Sequence, residues 1–278
     1  MIPDFFENCS PALRLAAEAA AAAGKVIRDG YEEVNQIEVK NVGDLVSKVD
    51  FDADQAATEI LQKDGLTIVS EELNPETKDE SADMWIVDPL DGTTAYLMKG
   101  GRHFSSALVA KRVDGDNQLG ITYFPLTEEW FYAEKGCGAW KNGRELKIQA
   151  QDLELAECWV ELNQYGNHQY ETSFLESART NLRAPGGAQI VTSSFPHAGV
   201  AMRIAEQNSG LTVAIHDNNP ESLKQGPWDI AANQIIFEEA GGVFVNPKGE
   251  RTSCFSPEPI IIAPSQSLVD KVLECCHR

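Results

Sequence analysis

The chain has 278 residues, of which 42% are hydrophobic and 24% are charged, a composition typical of a globular protein. Its 43 acidic and 23 basic side chains give a formal net charge of −20. This excess of acid argues against a surface that binds nucleic-acid backbones or anionic membranes. It would also repel phosphorylated substrates, unless bound cations reversed the local sign of the charge.

The cysteines and the N-terminus indicate the compartment. The cysteines show no Cys-x-x-Cys spacing and no pairing with histidines in the pattern of a zinc site, which disfavours zinc ligation and predicts reduced thiols. Residues 1–7 contain no basic segment before an apolar run, and the alanine-rich residues 12–27 are too few to span a bilayer. We therefore expect a cytoplasmic protein without a membrane partner. The cysteines are Cys9, Cys137, Cys158, Cys254, Cys275 and Cys276.

Hydrophobic periodicity and turn residues predict alternating helices and strands in both halves, with a meander of strands between them. Helices are predicted at residues 12–28, 52–63, about 170–180, 196–207, 227–240 and from 265 onward. Strands are predicted at residues 36–39, 66–69, 84–87, 104–112, 119–124, 130–133, 158–162, 211–215, 243–245 and 260–263. Residues 136–143 and 185–187 are predicted to form turns. This order predicts a layered α/β or α+β architecture.

Residues 85–94, with the sequence WIVDPLDGTT, combine acids, a turn and free amides. Asp88 is predicted to lie at the end of a buried strand, because Pro89 cannot continue a central strand. Asp91 precedes a glycine and favours a turn, so both acids are expected on one tight bend. Thr93 and Thr94 add hydroxyls and backbone N–H groups. Acids that hold a hard cation beside amides that hold an anion suit phosphate chemistry with a divalent metal.

Two further acids stand at comparable positions. Glu71 follows the strand predicted at residues 66–69, and Asp229 lies at the start of the helix predicted at residues 227–240. Taken singly, each acid is an ordinary turn former or helix cap. Taken together with Asp88 and Asp91, they supply enough carboxylates, with one backbone carbonyl, to hold more than one Mg²⁺ ion.

Other sites fit the sequence less well. Residues 50–54 resemble the start of a calcium-binding EF-hand loop, but the glycine and the glutamate required later in that loop are absent. Ser193 and Ser194 lack the Gly-x-Ser-x-Gly turn of serine hydrolases. In phosphatases of the haloacid dehalogenase type, Asp-x-Asp-Gly-Thr follows a strand, whereas here Asp88 and Asp91 are one residue further apart. That spacing disfavours a phospho-aspartate intermediate.

Two segments resemble the signatures of the inositol monophosphatase family. They are residues 85–94 and the sequence Trp228-Asp229-Ile230-Ala231-Ala232, followed by EAGG at residues 239–242. Residues 44–50, 70–72 and 120–138 extend the likeness to nearly the whole chain. The resemblance implies a layered α-β-α-β-α sandwich of the α/β (α+β) class, as in inositol and sugar phosphatases. It also implies a homodimer and Mg²⁺-dependent, lithium-sensitive hydrolysis of small phosphomonoesters.

The resemblance implies a metal site and a division of the chain. The chain would be one phosphatase unit of two closely packed lobes, about residues 1–150 for metal and phosphate and about 151–278 on the substrate side. Each site would hold two or three Mg²⁺ ions, with Mn²⁺ as a substitute. The implied metal ligands are Glu71, Asp88, the backbone carbonyl of Leu90, Asp91 and Asp229.

The resemblance also implies catalytic roles. Thr93, together with Glu71, would orient and help to deprotonate a metal-bound water, and Asp50 would act near the metals through water. The amides of Gly92, Thr93 and Thr94 would hold the phosphate.

The residues that would choose the substrate depart from the family pattern. Asn233 replaces a usual glycine, and the approach to Trp228 is lengthened. Ser193, Ser194, Glu221 and Asp229 are the expected substrate contacts, with the register around Glu221 open. Inositol monophosphate is the first choice of substrate, and adenosine 3′,5′-bisphosphate, cleaved by 3′(2′),5′-bisphosphate nucleotidases, is the alternative. A catalytically silent regulatory protein of the same fold is the alternative outside enzymes.

Overall fold

The computed structural model describes residues 2–32, 37–41, 44–77, 79–99, 102–150, 152–163, 173–193, 196–207, 210–216 and 226–277. Within these ranges the helices are α1 Pro11–Gly30, α2 Lys48–Leu61, α3 Thr93–Leu97, α4 Ser173–Asn181, α5 His197–Glu206, α6 Pro227–Glu239 and α7 Gln266–Cys276. The strands are β1 Ile37–Asn41, β2 Asp44–Ser47, β3 Thr67–Ser70, β4 Met84–Asp91, β5 Ser106–Val113, β6 Asp116–Phe124, β7 Glu129–Glu134, β8 Ala139–Lys141, β9 Arg144–Leu146, β10 Trp159–Asn163, β11 Gln189–Ser193, β12 Leu211–His216, β13 Val243–Val245 and β14 Ile260–Ala263.

Helix α1 begins where the sequence predicts. The Ser10 hydroxyl accepts a hydrogen bond from the main-chain N–H of Leu13, and Pro11 occupies the first turn, where its missing N–H costs nothing. The buried face of α1 consists largely of alanines, so the helix can approach the sheet closely. A Cβ at Gly24 would lie 2.4 Å from the Tyr123 ring, which shows how close that approach is.

The first sheet has seven strands in the order β3-β4-β5-β6-β7-β8-β9. Strand β4 pairs parallel with β3 and antiparallel with β5, and β5, β6 and β7 form the predicted antiparallel meander. Side chains alternate between its two faces. Trp85 and Val87 face the layer that contains α1, whereas Ile86 faces the layer that contains α5 and α6. The prediction that β4 is covered on both faces is therefore confirmed.

The second sheet has five strands in the order β11-β10-β12-β14-β13, and β11, β10 and β12 run parallel. Ala214 and Ile262 face the α5–α6 layer, whereas Val213, Ile215 and Ile261 pack with α4 and α7 on the outer face. The layers are thus α1 with α2, the first sheet, α5 with α6, the second sheet, and α4 with α7. This arrangement confirms the predicted α-β-α-β-α sandwich.

Strand β4 corrects one local prediction. The strand does not stop before Asp88 but continues through Pro89 to Asp91. Asp88 pairs with Leu108 and Asp91 with Ser106, so β4 carries one extra residue there. This bulge tolerates a proline because β3 pairs with β4 only as far as Val87, which leaves that side of the strand open. The two acids therefore lie on a bulged strand end and not on a separate turn.

Smaller differences also have local causes. Helix α2 begins at Lys48 and not at residue 52, because Ser47 and Asp50 form a capping box. Strand β11 was not predicted, and β8 with β9 form a short hairpin inside the predicted turn system. Residues 170–172, at the start of the helix predicted at about 170–180, lie outside the described residues. All six cysteines are free thiols, and within the described ranges no helix has the length and apolarity needed to cross a membrane.

Candidate metal centre

The bulged end of β4 presents two carboxylates and a carbonyl. Asp88 and Asp91 are 1% and 5% exposed, and Leu90 between them is 1% exposed. Asp88 Oδ1 accepts a hydrogen bond from the main-chain N–H of Leu90 at 3.0 Å. Because the extra residue rotates the strand, Asp88 and Asp91 reach the same site although they are three positions apart.

Helix α6 brings the third carboxylate. Asp229 lies in its first turn, where Asp229 Oδ2 accepts a hydrogen bond from the N–H of Gly226 at 2.9 Å. A negative charge is favourable there because the helix dipole is positive at this end. One carboxylate oxygen from each of Asp88, Asp91 and Asp229 lies within 4.8 Å of the others. The structure thus brings together residues that are 138 positions apart between Asp91 and Asp229.

The electrostatics of this group favour a bound cation. Burial raises the pKa of Asp88 well above its usual value, and the negative charges of Glu71, Asp91 and Asp229 raise it further. Burial also raises the pKa of Asp91, with Asp229 adding to the effect. Hydrogen bonds from Ala198 N–H and the Ser106 hydroxyl act on Asp91 in the opposite direction. Buried acids that repel one another bind either protons or metal ions.

Glu71 lies near enough to Asp88 for its negative charge to raise the pKa of Asp88. Its main-chain N–H donates to the carbonyl of Val87 at 3.2 Å, which continues the β3–β4 pairing by one residue. The turn that follows is held by Asp54 of α2, which is fully buried. Its Oδ2 accepts hydrogen bonds from the N–H groups of Glu72 and Leu73 at 3.0 and 3.1 Å. Sequence reasoning missed this role, although the spacing of Asp50 and Asp54 places both on one helix face.

Thr93 and Asp50 form the polar edge of the site. The Thr93 hydroxyl lies 2.7 Å from Asp50 Oδ1 and 3.1 Å from the carbonyl oxygen of Leu90. Asp50 Oδ2 accepts hydrogen bonds from the Ser47 N–H at 2.8 Å and the Ser47 hydroxyl at 2.7 Å. Asp50 therefore contacts Thr93 directly, and its action near the metals through water stays a prediction.

Helix α5 closes the group from the side of the second sheet. Asp91 Oδ2 accepts a hydrogen bond from the N–H of Ala198 at 3.2 Å, in the first turn of α5. Beside it, His197 Nδ1 lies 2.6 Å from His216 Nδ1, and His216 Nε2 lies 3.1 Å from Glu161 Oε2. All three side chains are buried. No local spacing in the sequence predicts this network, because its members come from three separate elements.

The structure describes only some of the residues predicted to contact the phosphate and the substrate. Gly92 adopts a left-handed conformation at φ 87° and begins α3, so its amide and those of Thr93 and Thr94 follow directly after Asp91. Ser193 ends β11, at the same edge as the ends of β10 and β12. Ser194 and Glu221 lie outside the described residues.

Comparison with known proteins agrees with this architecture. The model of the inositol monophosphatase family matches residues 8–276. A protein of Pasteurella multocida named Nus factor SuhB is 29% identical over 96% of this chain and 97% of its own length. Inositol monophosphatase 3 of Solanum lycopersicum is 29% identical over 85% of this chain and 86% of its own length.

A solved structure shows the same fold. The crystal structure of the extragenic suppressor protein suhB from Bartonella henselae superposes with a TM-score of 0.81 and 26% sequence identity, covering 97% of this chain and 99% of that one. The match of the family model over nearly the entire length, the layered fold and the cluster of buried acids agree with one another. This chain belongs to the inositol monophosphatase family.

Proposed function

We propose that this protein is a Mg²⁺-dependent phosphatase that hydrolyses a small phosphomonoester, with inositol monophosphate as the substrate. The observation that carries the proposal is the group of Asp88, Asp91 and Asp229, whose oxygens lie within 4.8 Å of one another. Family membership supports the same reaction class.

The donor set fits Mg²⁺. Carboxylate and carbonyl oxygens are the hard ligands that Mg²⁺ prefers. Burial, and after it neighbouring negative charge, raises the pKa values of Asp88 and Asp91, and a cation would neutralise that charge. Bound Mg²⁺ would supply Lewis acidity that polarises the phosphoryl group and lowers the pKa of a water molecule. Glu71, Asp88, the Leu90 carbonyl, Asp91 and Asp229 are the proposed ligands.

Thr93 and Asp50 are placed to move a proton. The Thr93 hydroxyl donates to Asp50 Oδ1 and leaves oxygen lone pairs that accept a hydrogen from a water. In the proposed step the water passes its proton to Thr93, and Thr93 passes its own to Asp50. The water oxygen bonds to phosphorus as the bond from phosphorus to the alcohol oxygen breaks, and the departing alcohol oxygen takes a proton from solvent water. Glu71, next to Asp88, is proposed to help orient the same water.

The amides of Gly92, Thr93 and Thr94 are proposed to hold the phosphate oxygens, because the first N–H groups of a helix point outward and attract anions. Asp229, Ser193, Ser194 and Glu221 are proposed to contact the alcohol part of the substrate. Inositol monophosphate is supported by the relative named Inositol monophosphatase 3. Adenosine 3′,5′-bisphosphate is the alternative, because the sequence Lys99-Gly100-Gly101 resembles that of the nucleotidase branch of the family.

A second candidate follows from the relative named Nus factor SuhB. In that case this chain would serve as a regulatory protein of the same fold without turnover. The retained acids support the phosphatase over the regulatory protein, because a regulatory surface has no need for buried carboxylates that repel one another.

The test is phosphate release from inositol monophosphate, adenosine 3′,5′-bisphosphate, fructose 1,6-bisphosphate and histidinol phosphate, each with Mg²⁺ and with EDTA. We expect Mg²⁺-dependent release that is fastest with inositol monophosphate. Fastest release from the bisphosphate nucleotide would move the assignment to the nucleotidase branch. No Mg²⁺-dependent release from any of the four would overturn the enzyme proposal.

Matched variants test the ligands. Asp91→Asn and Asp229→Asn each remove one negative charge with little change of shape, and we expect both to lose Mg²⁺-dependent turnover while they remain folded. Asp116→Asn is the control, since its carboxylate pairs with Lys135 and Arg251 elsewhere on the first sheet. Near-normal turnover by the Asp91 and Asp229 variants at saturating Mg²⁺ would refute their role as ligands.

A further inference from the structure

The first turn of α6 is attached to the first sheet through Asn233. Asn233 is fully buried, and its Oδ1 accepts a hydrogen bond from the hydroxyl of Thr122 on β6 at 2.8 Å. Its Nδ2 donates to the main-chain carbonyl oxygen of Asp229, one turn earlier in the helix, also at 2.8 Å. One side chain thus joins a central strand to the residue that carries the third carboxylate.

A buried asparagine inside a helix lowers stability unless its side chain is hydrogen-bonded. Asparagine is a poor helix former in a helix interior, and a buried amide is unfavourable unless it is hydrogen-bonded. Both of its polar atoms are bonded here, one across 111 positions of sequence. At this position the sequence departs from the glycine that the family resemblance predicts. The sequence therefore carries a polar connection that a glycine would not provide.

The packing around Asn233 makes the connection short and stiff. Gly120 lies two residues before Thr122 and therefore on the same face of β6. A Cβ at Gly120 would lie 2.7 Å from the carbonyl oxygen of Ala232. Helix α6 thus sits directly on the strand, close enough for the short side chain of Asn233 to reach Thr122.

Electrostatic repulsion among the three aspartates opposes the hydrogen bonds of Asn233. Asp88 and Asp91 belong to β4, two strands from β6 in the same sheet, whereas Asp229 belongs to α6. Like charges within 4.8 Å repel one another, and this repulsion pushes the first turn of α6 away from β4. The bond from Gly226 holds the Asp229 carboxylate within its own helix only. The two hydrogen bonds of Asn233 connect the backbone of Asp229 to the sheet that carries Asp88 and Asp91.

We propose that Asn233 and Thr122 form a positioning pair that holds Asp229 against Asp88 and Asp91 and thereby sets the Mg²⁺ affinity of the site. The proposal rests on the metal site of the proposed function. Neither Asn233 nor Thr122 touches the metal or the substrate in this scheme. Their effect passes through the backbone of Asp229.

The test is isothermal titration of Mg²⁺ into the metal-free full-length protein, with thermal unfolding measured on the same samples. Thr122→Val is nearly isosteric and removes only the hydroxyl, and Asn233→Leu removes both hydrogen bonds. We expect each to weaken Mg²⁺ binding about tenfold, the lower end for residues that orient metal ligands. If Asn233→Leu does not fold, Thr122→Val alone decides the question.

The double variant separates positioning from stability. With both partners apolar, no buried polar group is left unpaired, so we expect Thr122→Val/Asn233→Leu to regain much of the stability lost by the single variants. Its Mg²⁺ affinity should stay weak, because the connection to Asp229 is still missing. Recovery of affinity together with stability would overturn the proposal.

Gln234→Ala is the matched control. Gln234 is the next residue of α6 and is 1% exposed, and its Oε1 accepts a hydrogen bond from Asn117 Nδ2 on β6. We expect it to lower stability and leave Mg²⁺ affinity within twofold of the wild type. Wild-type Mg²⁺ affinity in the Thr122 and Asn233 variants, or an equal loss of affinity in the Gln234 variant, would overturn the positioning role of Asn233 and Thr122. The proposed function would not be affected by either result. If the wild-type protein bound no Mg²⁺, both the proposed metal site and the positioning role would be refuted.

Discussion

The hydroxyl of Thr93 donates to Asp50 Oδ1 across 2.7 Å and so joins the first turns of α3 and α2. The same Asp50 caps its own helix through Ser47, which fixes the carboxylate from the other side. A threonine whose hydrogen is committed in this way presents its lone pairs in a defined direction. This arrangement is the basis of the first prediction.

Removing the Thr93 hydroxyl should lower phosphatase turnover. Because a positioned proton acceptor contributes about 10²–10⁴-fold to rate, we expect Thr93→Val to lose at least about a hundredfold in kcat. Thr93→Ser keeps the hydroxyl and should keep most of the activity. Both variants are assayed for phosphate release at saturating Mg²⁺. A Thr93→Val enzyme as fast as the serine variant would exclude the proposed proton transfer.

Bound Mg²⁺ should stabilise the protein, and the effect should depend on the negative charge of Asp88. A ligand at a hundredfold excess over its Kd adds about 2.7 kcal/mol to the free energy of unfolding. We expect thermal unfolding to shift upward with MgCl₂ relative to EDTA in the wild type and much less in Asp88→Asn. Asp152→Asn removes an exposed acid and should respond to Mg²⁺ like the wild type. An equal shift in Asp88→Asn would argue against its role as a ligand.

The pH dependence of the metal-free protein should reflect the same charges. The pKa values of Asp88 and Asp91 are raised on folding, so above their ordinary value near 3.8 the folded state binds more protons than the unfolded state. Stability from these groups is therefore present at low pH and is lost as pH rises through their folded pKa values. Asp88→Asn removes part of this repulsion and should raise the stability of the metal-free protein at neutral pH. Urea unfolding in EDTA across the pH range measures the effect, and a destabilised Asp88→Asn would contradict it.

The buried histidines should make the protein sensitive to acid. Burial lowers the pKa of His216 to about 3 and that of His197 well below 6.5. As pH falls below about 6.5, the unfolded chain binds protons that the folded protein does not, so the free energy of unfolding decreases towards the folded pKa values. His197→Gln should flatten this decrease, whereas His103→Gln, at an exposed position, should not. Denaturant midpoints between pH 4 and 7 compare the slopes, and an unchanged slope in His197→Gln would refute the assignment.

Gly92 should tolerate no side chain. It has φ 87°, and a Cβ there would lie 2.0 Å from the carbonyl oxygen of Phe104 and 2.6 Å from Pro196 Cγ. Gly115 has φ 73° with open space around it and serves as the control. We expect Gly115→Ala to cost about 1–2 kcal/mol from backbone strain. Gly92→Ala should cost about 1–3 kcal/mol more from overpacking and should also weaken Mg²⁺ binding, since Gly92 follows Asp91. Equal unfolding free energies for the two variants would show that Phe104 and Pro196 move aside at no cost and that overpacking is absent.

The sequence predicted the elements well where periodicity was strong. Helix α1 follows its capping serine and alanine face, and β4 was recognised as a strand covered on both sides. The prediction failed where pairing overrides local preference. Pro89 lies inside β4 because a bulge and the end of β3 leave its missing N–H without cost. Strand β11 was missed because its pairing with β10 arises from distant segments.

The candidate site shows the same division. The local sequence around Asp88 and Asp91, together with Asp229 at a helix start, was enough to predict three of the acids that the structure brings together. It was not enough to find Asp54, the histidine pair or the bond between Thr122 and Asn233. These residues form hydrogen bonds between separate elements of the chain, and local spacing does not record such bonds.

By itself, the sequence determined the layered fold and the supply of carboxylates suited to a hard cation, because periodicity and side-chain chemistry are local properties of the chain. Only the tertiary structure decided that Asp88, Asp91 and Asp229 meet within 4.8 Å and that α6 is tied to β6 through Asn233. The physical reason is that buried like charges do not attract one another. Their proximity is imposed by the packing of α6 on the first sheet, where buried apolar area and hydrogen bonds outweigh the repulsion.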